Sequence, residues 1–268
     1  MPMLSSQTRS TWQSLALALS IAVPMAGILL ASGSNAEFES RHGASVLFLA
    51  AGAMGLMVFF QEMYAFYVTN SRRLLWMSAG FFTLGVGMIG SAITTGWNTN
   101  IDPESYVGAS ELFRVTSEFA ASIFILLGTL RSDRSIQGNM EFKAYILVAA
   151  IMVAAASTII YISTVQDGLS VPFYSSQYGW SLFSLYIELN VFIFFAVTCT
   201  VYVNMRKRSR SQILFWFIIG FILLAFSELA FTFERVAGAG ASSALVWAGR
   251  LLLLAGFVTF VLGLSRHK

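Results

Sequence analysis

The sequence predicts an all-α protein, a polytopic transmembrane helix bundle of about eight spans with both termini on the cytoplasmic side. Three observations predict it. Hydrophobic residues make up 57% of the chain and charged residues only 11%, whereas a soluble domain needs about a quarter charged residues to cover its surface. The apolar residues gather in runs long enough to cross a hydrocarbon core, about 20 residues each in a helix. Lysine and arginine alternate in density between successive runs, as the positive-inside rule demands.

The runs are 12–31, 43–68, 74–97, 108–130, 144–164, 181–204, 213–233 and 244–264. The first follows Arg9 and ends near Ser34-Asn35-Ala36, an imitation of a secretory signal. Its apolar stretch is long for a signal core, so it reads as a retained helix, kinked at Pro24. The second carries Gln61 and Glu62 in its inner half, with Tyr64 and Tyr67 close by. The third bears a stripe of small residues, Thr83, Gly87, Ser91 and Thr95, at i,i+4 spacing. Such stripes let helices approach closely in lipid. The fourth holds Glu111, Arg114 and Glu118, and the fifth a second small stripe, Ala150, Ala154 and Thr158. Residues 165–180 form the longest connection. The sixth span contains Glu188, Asn190 and the single cysteine, Cys199, set in VFIFFAVTCTVYV as a small buried hydrophobe. The seventh holds Glu228 and the eighth Arg250. No segment remains for a soluble domain, so residues 1–268 read as one transmembrane domain.

The charge pattern orients the bundle. With a cytoplasmic N-terminus, the inner segments hold Arg9; Arg72 and Arg73; Arg131, Arg134 and Lys143; Arg206, Lys207, Arg208 and Arg210; and Arg266 with Lys268. The outer loops hold only Arg41 and Arg235, and Arg114 and Arg250 lie inside spans. All six tryptophans fall within a few residues of a span end, where an amphipathic indole sits best.

Ionisable residues at membrane depth cost roughly 2.5–3.5 kcal/mol each at a helix centre, so they normally face protein or water and mark function. Glu62 stands alone in the inner half. Glu111, Arg114, Glu118, Glu188, Glu228 and Arg250 all map to the outer half. Glu111, Arg114 and Glu118 fall at i, i+3 and i+7, on one helix face. Arg114 can pair with either glutamate and Arg250 can reach a glutamate on a neighbouring helix. Four acids against two bases leave carboxylates to be protonated or bound to a cation. The expectation is a polar cavity open to the outside, with these six residues as ligand-binding candidates. The same charges also suit ion pairs that pin helices together, and Glu111 and Glu228 lie close enough to the interface to snorkel to water.

Other function classes are excluded. Lys143, Lys207 and Lys268 sit at the cytoplasmic boundary, so no lysine can hold retinal within a span. His42 and His267 lie at opposite faces and cannot share a haem. Asp102, Asp133 and Asp167 are in loops, which removes an intramembrane aspartate pair. No HExxH, P-loop or cysteine cluster appears, and a serine nucleophile would lack a histidine base at depth. The chain therefore reads as a non-enzyme with no catalytic residue, no metal and no cofactor, a lipid-modifying activity that uses carboxylates being the one enzymatic alternative left open. The run MRKRSRSQ at 205–212 reads as an anchor at anionic headgroups and not as a nucleic-acid site.

The order of the spans, the segment ELFRVTSEFAASIFILLGTL with Arg114 and Glu118, and the pair FSELAFTFERV and LVWAGRLLLLAGFVTFVLGL resemble the membrane-associated sensor domains found N-terminal to prokaryotic histidine kinases and cyclic-dinucleotide enzymes. Gly249-Arg250 stands where that family often carries a Gly-His pair, and GSAITTGW lacks a histidine common near the end of its third span. The resemblance implies a multi-pass sensor or receptor-like module of the cell (cytoplasmic) membrane. It would bind a small ligand or ion in the outward-facing cavity. With no kinase or cyclase domain expected beyond the last span, it would signal through a protein partner, with homo-oligomerisation open. The alternatives are a non-catalytic membrane subunit of a larger transport or redox complex, or a small cation transporter or channel. For the last, Glu62 and the outer acids would be stations on a path whose gap holds only Asn190, serine and threonine.

Overall fold

The computed structural model describes residues 6–33, 40–97, 103–130, 174–175, 179–180, 182–209, 211–237 and 243–265. Among them are seven helices long and apolar enough to cross a membrane. These are α1 (Ser6–Ser32), α2 (Arg41–Thr69), α3 (Arg72–Trp97), α4 (Pro103–Leu130), α5 (Leu182–Ser209), α6 (Gln212–Ala237) and α7 (Ala244–Ser265). The expected span at 144–164 lies outside the described residues, as do Arg131, Arg134, Lys143 and the stripe Ala150, Ala154 and Thr158. Ahead of α5, Tyr174–Ser175 (β1) and Gly179–Trp180 (β2) pair antiparallel, Tyr174 opposite Trp180.

Helices are the outcome because lipid offers nothing to hydrogen-bond an open backbone. Their ends are closed locally. Ser40 caps α2, its Oγ accepting from the Gly43 amide at 3.0 Å. Asn70 ends α2 in the left-handed region at φ 51°, its N–H donating to the Phe66 carbonyl at 2.7 Å. That tight reversal lets α3 begin two residues later.

Each helix from α2 to α7 packs on the next in sequence, and α7 packs back on α2. The six form a closed ring, and α1 lies outside it, mainly against α6 and α7. Pro24 and Ile28 are on its buried side, and the helix continues through the proline.

Two seams of the ring depend on small residues. At α2–α3, a Cβ on Gly52 would lie 2.8 Å from the Gly85 carbonyl oxygen, and one on Gly55 3.1 Å from the Gly85 Cα. At α3–α4, Gly87 abuts Ser117, Ser91 Oγ donates to the Ser110 carbonyl at 2.9 Å, and the Thr95 and Ser110 hydroxyls meet at 2.7 Å. Three residues of the expected α3 stripe thus face α4, while Thr83 bonds back to Ala79 of its own helix.

Aromatic side chains fill the middle of the ring. Phe81 of α3 meets Phe217 of α6 and Phe260 of α7 edge-on, at 6.3 and 5.0 Å between centroids. Tyr202 of α5 stacks on Phe217 at 5.9 Å. Among the described residues, the buried charged groups lie to either side of this layer, with the hydroxyls of Ser122 and Thr198 buried nearer its level.

Candidate functional site

At one end, α4 turns Glu111, Arg114 and Glu118 into the ring, as their i, i+3, i+7 spacing dictates. Glu188 arrives from α5, and Glu228 and Arg235 from α6. Arg114 Nη2 lies 2.8 Å from Glu111 Oε2 and 2.5 Å from Glu188 Oε1. Arg235 Nη2 approaches the same two oxygens, at 2.8 and 2.6 Å. Two guanidiniums and two carboxylates therefore close a four-cornered, formally neutral ring across three helices.

Glu118 and Glu228 remain outside that balance. Arg114 Nη1 donates to Glu118 Oε2 at 2.7 Å and stands 3.8 Å from Glu228 Oε2. No N–H or hydroxyl donates to Glu118 Oε1 or to either oxygen of Glu228. The two carboxyls instead converge on one atom, Arg114 Nη1, which brings an oxygen of each to the same point between α4 and α6. Two bare carboxylates have only acceptors, so a contact between them becomes a hydrogen bond only when one of them carries a proton.

The structure departs from the sequence expectations at several of these residues. Arg235 is not in an outer loop: α6 runs on to Ala237 and buries it. The second base tied to these carboxylates by short ion pairs is Arg235. Arg250 stands to one side, its guanidinium 5.5 Å from the Phe48 ring and 5.3 Å from that of Trp247, with its charge still felt at Glu111. Glu228 does not snorkel to water but is fully buried. Among the described residues, the paired charges are covered and not set around an open cavity. Glu111 is the most exposed of the six paired side chains at 12%, and the others are closed over by protein.

Glu234, next to Arg235 on α6, is buried as well, although both follow Phe233, where the apolar run at 213–233 ends. One signal could have found Arg235. Glu228, Phe231 and Arg235 repeat the i, i+3, i+7 spacing of Glu111, Arg114 and Glu118. Among the described residues, no group of three or more His, Cys, Asp or Glu is placed to hold a metal ion.

At the other end of the ring, Glu62 of α2 is buried, with one carboxylate oxygen lacking a donor. Tyr64 and Tyr67, expected near it, point outward and are largely exposed. Its neighbours are Arg73, at the start of α3, and Tyr202. The Arg73 guanidinium sits 4.8 Å above the Tyr202 ring, and the Tyr202 hydroxyl donates to Met77 Sδ at 2.7 Å. Phe217 and Phe221 of α6, with Phe257 and Phe260 of α7, lie between the two ends. Asn190, expected in the gap, donates instead to Tyr186 of its own helix.

A buried charge network at one end of an apolar ring suits a module that responds to something in or across the membrane. The model of a family described as membrane-associated sensor domain, MASE3, matches residues 44–266. The chain belongs to that family. The match takes in α2 through α7 with every charged residue of both clusters, and leaves out α1. No curated protein and no solved structure matches the chain. This MASE3 member is thus a multi-pass membrane sensor module, with the α4–α5–α6 charge network buried among its described helices.

Proposed function

We propose that the chain is one transmembrane domain of the cytoplasmic membrane. In this reading it binds a small ligand or ion at the Arg114–Arg235 network and signals by shifting helices against a protein partner. The observation that carries this reading is the network itself, with six charged side chains from three helices and carboxylate oxygens left without donors. A ligand shifts a conformational equilibrium only through differential affinity. A site whose own groups hold α4, α5 and α6 together supplies that difference, because any change in its charge alters the bonds between them.

The orientation from the positive-inside rule puts this network at the outer end and Arg73, Tyr202 and Glu62 at the cytoplasmic end, where a partner would read the change. The aromatic layer between the ends supports a sensor over a transporter, which would need a continuous polar path.

The test is purification from native membranes in mild detergent, with mass spectrometry of what co-elutes, followed by assay of the partner's output. Recovery of a signalling partner whose output changes in the Glu188→Gln variant supports the proposal. A stoichiometric set of transport or redox subunits makes the chain a complex component and retires it.

A further inference from the structure

Glu118 and Glu228 raise a question of charge that the surrounding residues do not answer. The neutral ring of Glu111, Arg114, Glu188 and Arg235 uses both guanidiniums. Arg250 on α7 and Glu234 on α6, both buried, are opposite in sign and offset each other in the count. At the same end of α2, Arg41 and His42 are exposed. Among the described residues nothing else charged faces the pair from any helix, so two formal negative charges reside on two side chains with no exposed surface. Removing even one unpaired carboxylate from water is among the most costly arrangements a protein can hold.

The missing positive charge must fit in very little space. Both carboxyls are fully buried, both stand against the same Arg114 Nη1 at 2.7 and 3.8 Å, and among the described residues they are not placed with a third ligand for a metal ion. A proton needs no cavity, and it lets one carboxyl donate to the other.

Resting on the sensor reading above, we infer that the ion bound at this site is a proton shared by the Glu118 and Glu228 carboxyls, tying α4 to α6. With the proton in place, Glu228 donates to Glu118, whose other oxygen accepts from Arg114. When the proton leaves to water, two carboxylates face each other, and they repel across the α4–α6 contact. The network then gains a negative charge with no cation to meet it, so the helices must part or admit water. The sensed quantity is the proton activity on the side of the membrane to which this end opens.

The experiment uses the full chain in lipid nanodiscs. Infrared spectroscopy at neutral pH is expected to show a protonated carboxyl band that moves on deuteration and is lost in Glu228→Gln. Unfolding is then followed against pH. If the native state holds one proton that the unfolded state has released, the unfolding equilibrium constant rises about tenfold per pH unit while that difference persists. In Glu228→Gln the amide donates permanently to Glu118, and this slope should flatten. Glu118→Gln provides a second variant should the first fail to fold.

A wild type with no protonated carboxyl band, or the same slope in wild type and both variants, overturns the inference. Stabilisation by sodium or calcium at fixed pH, with no pH slope, overturns it in favour of a metal cation. A normal pH slope that leaves partner output unchanged keeps the proton site and instead sinks the sensor reading.

Discussion

The guanidinium carbon of Arg114 lies 3.8 Å from the centroid of the Phe231 ring. One face of this cation is therefore covered by an aromatic ring from α6, while its N–H edge donates to carboxylates from α4 and α5. The planar guanidinium allows both at once, which a lysine ammonium cannot.

Arg114→Lys keeps the charge but loses the fork and the stacking. It is expected to cost about 3 kcal/mol, in the range for breaking a buried pair. Phe231→Leu, which removes only the ring, should cost about 1–2 kcal/mol. Both are checked by reversible denaturation in detergent, and equal losses would mean that the guanidinium edge contributes nothing.

Arg235 and Glu188 should behave as a coupled pair. A double-mutant cycle with Arg235→Ala and Glu188→Ala is expected to give an interaction energy of about 1–3 kcal/mol. Additive effects would return Arg235 to the solvated loop in which its position in the sequence placed it.

The α2–α3 seam leaves no room for a side chain at Gly52. Gly52→Val should destabilise by about 1–3 kcal/mol through overpacking. Gly27 on α1, where nothing lies within 4 Å of an added Cβ, supplies the control: Gly27→Ala is expected to be neutral or mildly stabilising in the same melting experiment.

Tyr202→Phe removes the hydroxyl that donates to Met77 Sδ while keeping the stack on Phe217. The expected loss is about 0.5–1.5 kcal/mol, measured as a shift in denaturation midpoint. A larger loss would show that Arg73 and Glu62 depend on that hydroxyl for their arrangement.

Orientation is open to a direct chemical test. In a Cys199→Ala background, Ser209→Cys should react with an impermeant thiol reagent only from the cytoplasmic side, and Ser40→Cys only from outside. The reverse pattern would invert the bundle and move the charge network to the cytoplasmic end.

The helices were legible because hydropathy alone reports a run long enough for lipid. The α4 triad was legible because its spacing is local. Its partners were not: Glu188 lies 74 positions from Arg114 along the chain, and no periodicity says which outward-half acid meets which base. Arg235 was misplaced for a physical reason. A buried ion pair lets a helix continue past its last apolar residue, so the end of the hydropathy run was not the end of α6. Glu228 and Glu111 looked alike on the same scale, yet the fold buries the first completely and leaves the second partly exposed.

The position of α1 outside the ring bears on how the molecule is made. Among the described helices, a ribosome delivers α1 ahead of the ring, yet its main neighbours, α6 and α7, follow all the others. It must rest in the bilayer without these neighbours while the ring is threaded beside it. Its composition suits that wait, for no charged residue occurs from Trp12 to Ser32. The acids and bases of α4, by contrast, enter the membrane well before Glu188, Glu228 and Arg235 arrive to receive them. Docking of α1 is then a closing step of assembly: a photo-crosslinker at Pro24 should capture α6 only in nascent chains long enough to have released α7.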